Sequence, residues 1–141
     1  MIKKINCILL IDDDEASNYL SNLILEESNV ADHIKVKQTA IAALNYITDT
    51  ARETDKNITL PYPDLIFLDI NMPAMNGWEF IEQYRELIKQ QFKKIIIVML
   101  TTSINPDDRI KALEISEIAA FENKPLSEEM IEFLMKKFFS E

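Results

Sequence analysis

Short apolar runs alternate along this chain with longer stretches in which apolar residues recur every three or four positions. Ile5–Ile11 is the first run, of strand length and rich in Ile and Leu. Ala16–Glu27 then sets Ala16, Leu20, Leu23, Ile24 and Glu27 at helical spacing among polar residues. Ile34–Val36 reads as a short second strand, and Thr39–Ile47 as a helix with Ala40, Ala43, Leu44 and Ile47 on one face. A polar stretch, Thr48–Pro63, is the one long connection, its lower half readable either as disordered or as an extension of the preceding helix. Leu65–Leu68 is a strand, and Gly77–Gln90 a helix that buries Phe80, Ile81, Tyr84, Leu87 and Ile88. Ile95–Leu100 is the most hydrophobic segment and reads as a central strand. Pro106–Glu114 is a helix with proline in its first turn. Ala119–Phe121 marks a fifth strand. Ser127 caps a last helix, Glu128–Phe139, with acids at its start and Lys136 and Lys137 at its end.

The pattern is five strand–helix units in succession. Strands that read as unbroken apolar runs are buried on both faces, as in a parallel sheet covered by helices. With right-handed crossovers this predicts an α/β fold, a flavodoxin-like (βα)5 doubly wound sheet with strand order 2-1-3-4-5. The 141 residues are expected to form a single domain, 1–141, with no second domain after the last helix.

Composition narrows the function classes. A net charge of −9 disfavours nucleic acid, whose phosphates need clustered Lys and Arg. The lysines and short apolar run at the start end in three aspartates, unlike a signal peptide, and no stretch nears the roughly 18 apolar residues of a membrane span. The single cysteine, Cys7, sits in an apolar run and reads as a small core residue, which points to a reducing, cytoplasmic setting. His33, the one histidine, is read as a solvated residue in the loop before the second strand.

Ligands of such sheets bind beyond the carboxyl ends of the strands. After the first strand come Asp12, Asp13 and Asp14; after the third, Asp69; after the fourth, Thr101 and Thr102; after the fifth, Lys124 and Pro125. Taken singly, each has an ordinary explanation as a cap or turn residue, and Asp14 is read as just such a helix cap. Together they form one constellation. Three carboxylates in a cleft require proton uptake or a cation, and hard oxygen donors suit Mg²⁺. With Mg²⁺ and Lys124 in place, Asp69 can act as a carboxylate nucleophile toward a phosphoryl group, and Thr101 can stabilise the transferring oxygens.

ILLIDDD, LIFLDINMPAMNGWEF, IIIVMLTTS and AAFENKPL together resemble the receiver domain of bacterial response regulators, over nearly the whole chain. The resemblance implies that Asp69 is the phosphoacceptor, Asp13 a direct Mg²⁺ ligand, Asp12 its acidic neighbour acting through water, and the Asn71 backbone carbonyl the remaining protein ligand. It further implies Thr101 as the switch hydroxyl, Lys124 as the phosphate-binding lysine with a cis bond to Pro125, Phe121 as the aromatic switch residue, and Gly77 in the tight turn before the third helix. The triple aspartate leaves the register open by one residue; Asp12 and Asp13, which directly follow Ile11, are taken as the pocket pair. Partners implied are a sensor histidine kinase or histidine phosphotransfer protein and a downstream protein. The surface of helix four, strand five and helix five is implied as the partner or dimer face. The NGWEF wording and the long 48–63 stretch resemble stand-alone receivers that pair with phytochrome-like or other hybrid kinases. Glu117 and Ala120 stand where many receivers carry glycine.

Other readings compete. A Mg²⁺-dependent phosphohydrolase would need a second aspartate as general acid where Asn71 stands. A flavodoxin-type cofactor binder would place phosphate against three aspartates. A degenerate receiver serving as a phosphate-independent protein-binding scaffold would have no use for the intact acid pair, Asp69, Thr101 and Lys124.

Overall fold

The computed structural model describes residues 3–53, 60–90 and 92–140. Five parallel strands, β1 (Ile5–Ile11), β2 (Ala31–Lys37), β3 (Leu65–Leu68), β4 (Ile96–Thr101) and β5 (Ile118–Asn123), lie in the order β2-β1-β3-β4-β5. Five helices connect or follow them: α1 (Glu15–Ser28), α2 (Ala40–Ala51), α3 (Gly77–Ile88), α4 (Pro106–Glu114) and α5 (Glu128–Phe139). This is the flavodoxin-like architecture expected from the apolar runs.

Alternation along each strand builds two cores. Leu9, Ile11, Ile66, Leu68, Ile97, Met99 and Phe121 point to one face, where α2, α3 and α4 supply Ala43, Ile47, Phe80, Ile81, Tyr84 and Ala112. Ile8, Leu10, Leu65, Phe67, Val98 and Leu100 point to the other, against Leu25 of α1 and Ile131, Leu134 and Met135 of α5. Cys7 is fully buried, and that burial pushes its thiol up to about 11.

Several elements differ from their sequence reading, β4 and α3 by only one or two residues at their ends. β2 starts three residues earlier than its apolar centre, because it is an edge strand paired only with β1 and tolerates Asp32, His33, Lys35 and Lys37. His33 is therefore not a loop residue; it is half-buried in β2, opposite Cys7. α2 continues from its Thr39 cap to Ala51, taking up the start of the long connection, while positions 54–59 of that connection lie outside the described residues. β5 runs one residue earlier and two later than its apolar centre, and the register slips between Ile97 and Val98, leaving Ala119 extra. α1 turns over. It buries Asn18, Ser21 and Leu25 and leaves Tyr19, Leu20 and Leu23 exposed.

Glu117 has a local reason to replace glycine. Its carboxylate pairs at 2.9 Å with Arg85 of α3, tying that helix to the turn before β5.

Candidate functional site

The carboxyl ends of the three central strands and β5 deliver the site. Asp12 and Asp69 are the first residues past β1 and β3, and each extends its strand's ladder by one bond, Asp12 N–H to the Lys37 carbonyl (3.1 Å) and Asp69 N–H to the Ile11 carbonyl (3.0 Å). Backbone continuity thus aims both carboxylates at one cleft. Thr101 is the last residue of β4 rather than the first beyond it, and is fully buried. Lys124 directly follows β5; its N–H donates to the Thr101 carbonyl at 2.9 Å, and its peptide bond to Pro125 is cis.

The side chains converge. Carboxylate oxygens of Asp12, Asp13 and Asp69 all lie within 4.8 Å of one another. Asp12 and Asp69 are buried and Asp13 is exposed. The Lys124 ammonium donates to the Asp12 carboxylate and stands 3.8 Å from that of Asp69. Asp14 does not join them: its carboxylate caps α1 by accepting from the Ala16 N–H. Asn71, two residues beyond Asp69, is exposed.

Three carboxylates and one ammonium leave two negative charges in a largely buried space. All-oxygen donors with that residual charge fit a hard divalent cation. The electrostatics of Asp69 carry the same message. Burial pushes its carboxyl up, the Lys124 ammonium pulls it down, and the neighbouring Asp12 charge pushes it up again. The Ile70 N–H, donating at 2.9 Å, and the Thr101 hydroxyl favour the carboxylate, and the net direction is upward.

The loop from β3 to α3 is held tightly. Met75 N–H donates to the Pro73 carbonyl at 2.8 Å around Ala74, whose φ of 67° lies in the left-handed region. Asn76 caps α3 in a reciprocal capping box with Glu79. Gly77 does not adopt a positive φ, so the turn does not require its conformational freedom. Its N–H donates to the Ile70 carbonyl at 2.8 Å. Met72 is buried, and Met75 and Trp78 pack against the same core, as ordinary packing residues would.

Thr101 and Phe121 share a sheet face. Met99 pairs with Phe121 in register, and Thr101 lies two residues further along β4. The Phe121 ring is inward, 5% exposed, with the Arg109 guanidinium 5.8 Å from its centroid. The Thr101 hydroxyl accepts from the Ser103 N–H at 3.2 Å.

Asn18 escaped the sequence reading. Its side-chain amide donates to the Asp12 carbonyl at 2.8 Å from inside α1. The signal was present as the spacing Asn18, Ser21, Leu25, which outlines the true buried face.

The chain matches the profile of the response regulator receiver domain over residues 8–136, and it belongs to that family. Among its relatives is the response regulator Rcp1 of Synechocystis sp. (strain ATCC 27184 / PCC 6803 / Kazusa), 30% identical over 108 residues, covering 77% of this chain and 69% of that protein. The Mn²⁺-bound structure of Rcp1 superposes with a TM-score of 0.66 at 29% identity, over 94% of this chain and 90% of that one. A two-component response regulator from Cytophaga hutchinsonii superposes with a TM-score of 0.85 at 29% identity, over 96% and 98% of the two chains. In hybrid signal transduction histidine kinase D of Dictyostelium discoideum, 30% identical over 109 residues, the matching stretch is 6% of the protein. The chain is thus a CheY-like receiver of two-component signalling, with an acidic cluster fit for a divalent cation. No helix among the described residues is long and apolar enough to cross a membrane.

Proposed function

We propose that Asp69 accepts a phosphoryl group from a phosphohistidine of a sensor histidine kinase or a histidine phosphotransfer protein. The observation that carries this reading is the convergence of Asp12, Asp13, Asp69 and Lys124 at one sheet edge, beside the Thr101 hydroxyl. An Asp69 carboxylate oxygen attacks phosphorus, the P–N bond breaks, and its electron pair stays on the donor imidazole. Asp12, Asp13, Asp69 and the Asn71 carbonyl would hold the divalent ion, which we assign as Mg²⁺ and which would supply positive charge against the transferring oxygens. Lys124 leaves Asp12 to meet a phosphoryl oxygen, and the Thr101 hydroxyl donates to another. The protein catalyses only its own phosphorylation and dephosphorylation.

The donor's route is supported by a groove of about 300 Å³ lined by Asp14, Ala16, Leu20, Thr102, Lys124 and Pro125. It runs from the exposed apolar side of α1 to the Lys124 end of the site. Output is assigned to the face of α4, β5 and α5, which serves a downstream protein or a second copy. α4 buries only Ala112, while Ile110, Leu113 and, on α5, Phe133 are more than half exposed. A nine-residue helix with one buried anchor is easily displaced. The buried, unpaired Cys7 supports a cytoplasmic setting. Incubation with acetyl phosphate tests the reading: the adduct should form with Mg²⁺ and fail to form when the metal is chelated.

A further inference from the structure

α1 departs from the rule that a surface helix buries its apolar stripe. On its inner side it presents Asn18 and Ser21, each 6% exposed, while Tyr19, Leu20 and Leu23 face outward. Further from the acid pair the inner side turns apolar, with Leu25 buried and Ile24 packed beside the same core. Polar groups are buried against a sheet only where they have partners. Asn18 has one: its amide donates at 2.8 Å to the carbonyl of Asp12, the residue at which β1 leaves the sheet. The Asp12 carboxylate is held in turn by the Asp14 N–H at 2.9 Å and by Lys124.

Beneath Asp12 and Asp69 lies a cavity of about 10 Å³ whose polar lining is Asp12, Asn18, Ser21 and Asp69. Its remaining walls are apolar side chains of the sheet, Leu10 and Phe67 among them. About 10–15 Å³ with two to four polar partners is what one buried water needs.

We infer that Asn18 and Ser21, with one water between them, form a polar floor that holds Asp12 in its metal-binding orientation. Both are positioning residues: they act through Asp12 and do not touch the ion or the phosphoryl group. This rests on the phosphoacceptor reading of the pocket. The apolar stripe of α1 is interrupted where it passes the acid pair because a Leu at 18 or an Ala at 21 would leave the Asp12 carbonyl or the water without a partner.

Calorimetric titration of the full chain with Mg²⁺ tests the inference, alongside thermal unfolding of each metal-free variant. Loss of a group that orients a metal ligand lowers affinity by about 10–100-fold. Asn18→Leu should fall in that range, and Ser21→Ala should lose less but measurably. Leu25→Ala, buried in the same helix, should lower the melting temperature and leave Mg²⁺ affinity unchanged. Wild-type affinity in both Asn18→Leu and Ser21→Ala overturns the inference, as does an equal loss in Leu25→Ala. If Asn18→Leu does not fold, Ser21→Ala decides by the same criterion. A wild-type protein that binds no Mg²⁺ overturns the phosphoacceptor reading itself.

Discussion

A Cβ placed on Gly77 would lie 2.6 Å from the backbone oxygen of Asp69 and 3.0 Å from the Ile70 Cα. The start of α3 therefore rests directly on the backbone of the proposed acceptor, and the atoms in the way are backbone, which cannot swing aside. Gly77→Ala should cost about 1–3 kcal/mol, the usual penalty of overpacking. Urea unfolding would show the loss, and amide shifts of Asp69 and Ile70 would show the displaced backbone. Wild-type stability in that variant would mean that α3 is free to retreat.

The raised Asp69 pKa has a definite sign in its effect on the metal-free protein. A carboxyl raised in the folded state binds more protons there than in the unfolded chain. Stability then falls as pH rises from the ordinary carboxylate value toward the raised one. Asp69→Asn removes this dependence and should make the metal-free protein more stable than wild type at neutral pH. Thermal unfolding in chelator from pH 4 to 8 checks both points; a variant less stable than wild type at neutral pH would contradict the electrostatic account.

Asp13 and Asp14 are adjacent and exposed, yet they are expected to behave differently. Asp14 caps α1 through the Ala16 N–H, so Asp14→Ala should cost about 0.5–2 kcal/mol with Mg²⁺ affinity retained. Asp13 joins the carboxylate cluster, so Asp13→Ala should lose Mg²⁺ with little effect on metal-free stability. The reverse pattern in titrations would put the pocket one residue further along the chain.

The buried Phe121 ring bears on signalling. A phenylalanine has no hydroxyl to leave unpaired inside, so the inward state needs no phosphoryl group to populate it. The response to beryllofluoride with Mg²⁺ should then come from Thr101, whose hydroxyl turns to the new acceptor oxygen, and should shift amides over residues 101–125 and the start of α5 while leaving α2 largely unmoved. Thr101→Ala should still accept phosphate but shrink the response at α4. NMR changes confined to residues 12, 13 and 69–71 would favour a simple phosphate relay.

Legibility in the sequence followed burial. Strands covered on both faces announce themselves as apolar runs: β1 and β3 were readable to the residue, and β4 was displaced by one because the buried Thr101 that ends it is polar. Edge strand β2 mixes polar and apolar positions, so its ends and the place of His33 were not. The site's carboxylates were legible because each directly follows a buried strand, and strand order then brings them together. α1 misled for a physical reason. Its apolar residues are more numerous on the solvent side, and its inner face is polar where it meets the acid pair, so periodicity pointed outward. The need for glycine at 77 was visible, but its cause was not, since close approach of two backbones leaves no mark in a single sequence.

Asp69 is the proposed phosphoacceptor. Intact mass of wild type and Asp69→Asn after incubation with acetyl phosphate and Mg²⁺ tests it most directly. Wild type should gain one phosphoryl group, lost on chelation of the metal and absent from Asp69→Asn. The same Mg²⁺-dependent adduct on Asp69→Asn would contradict it.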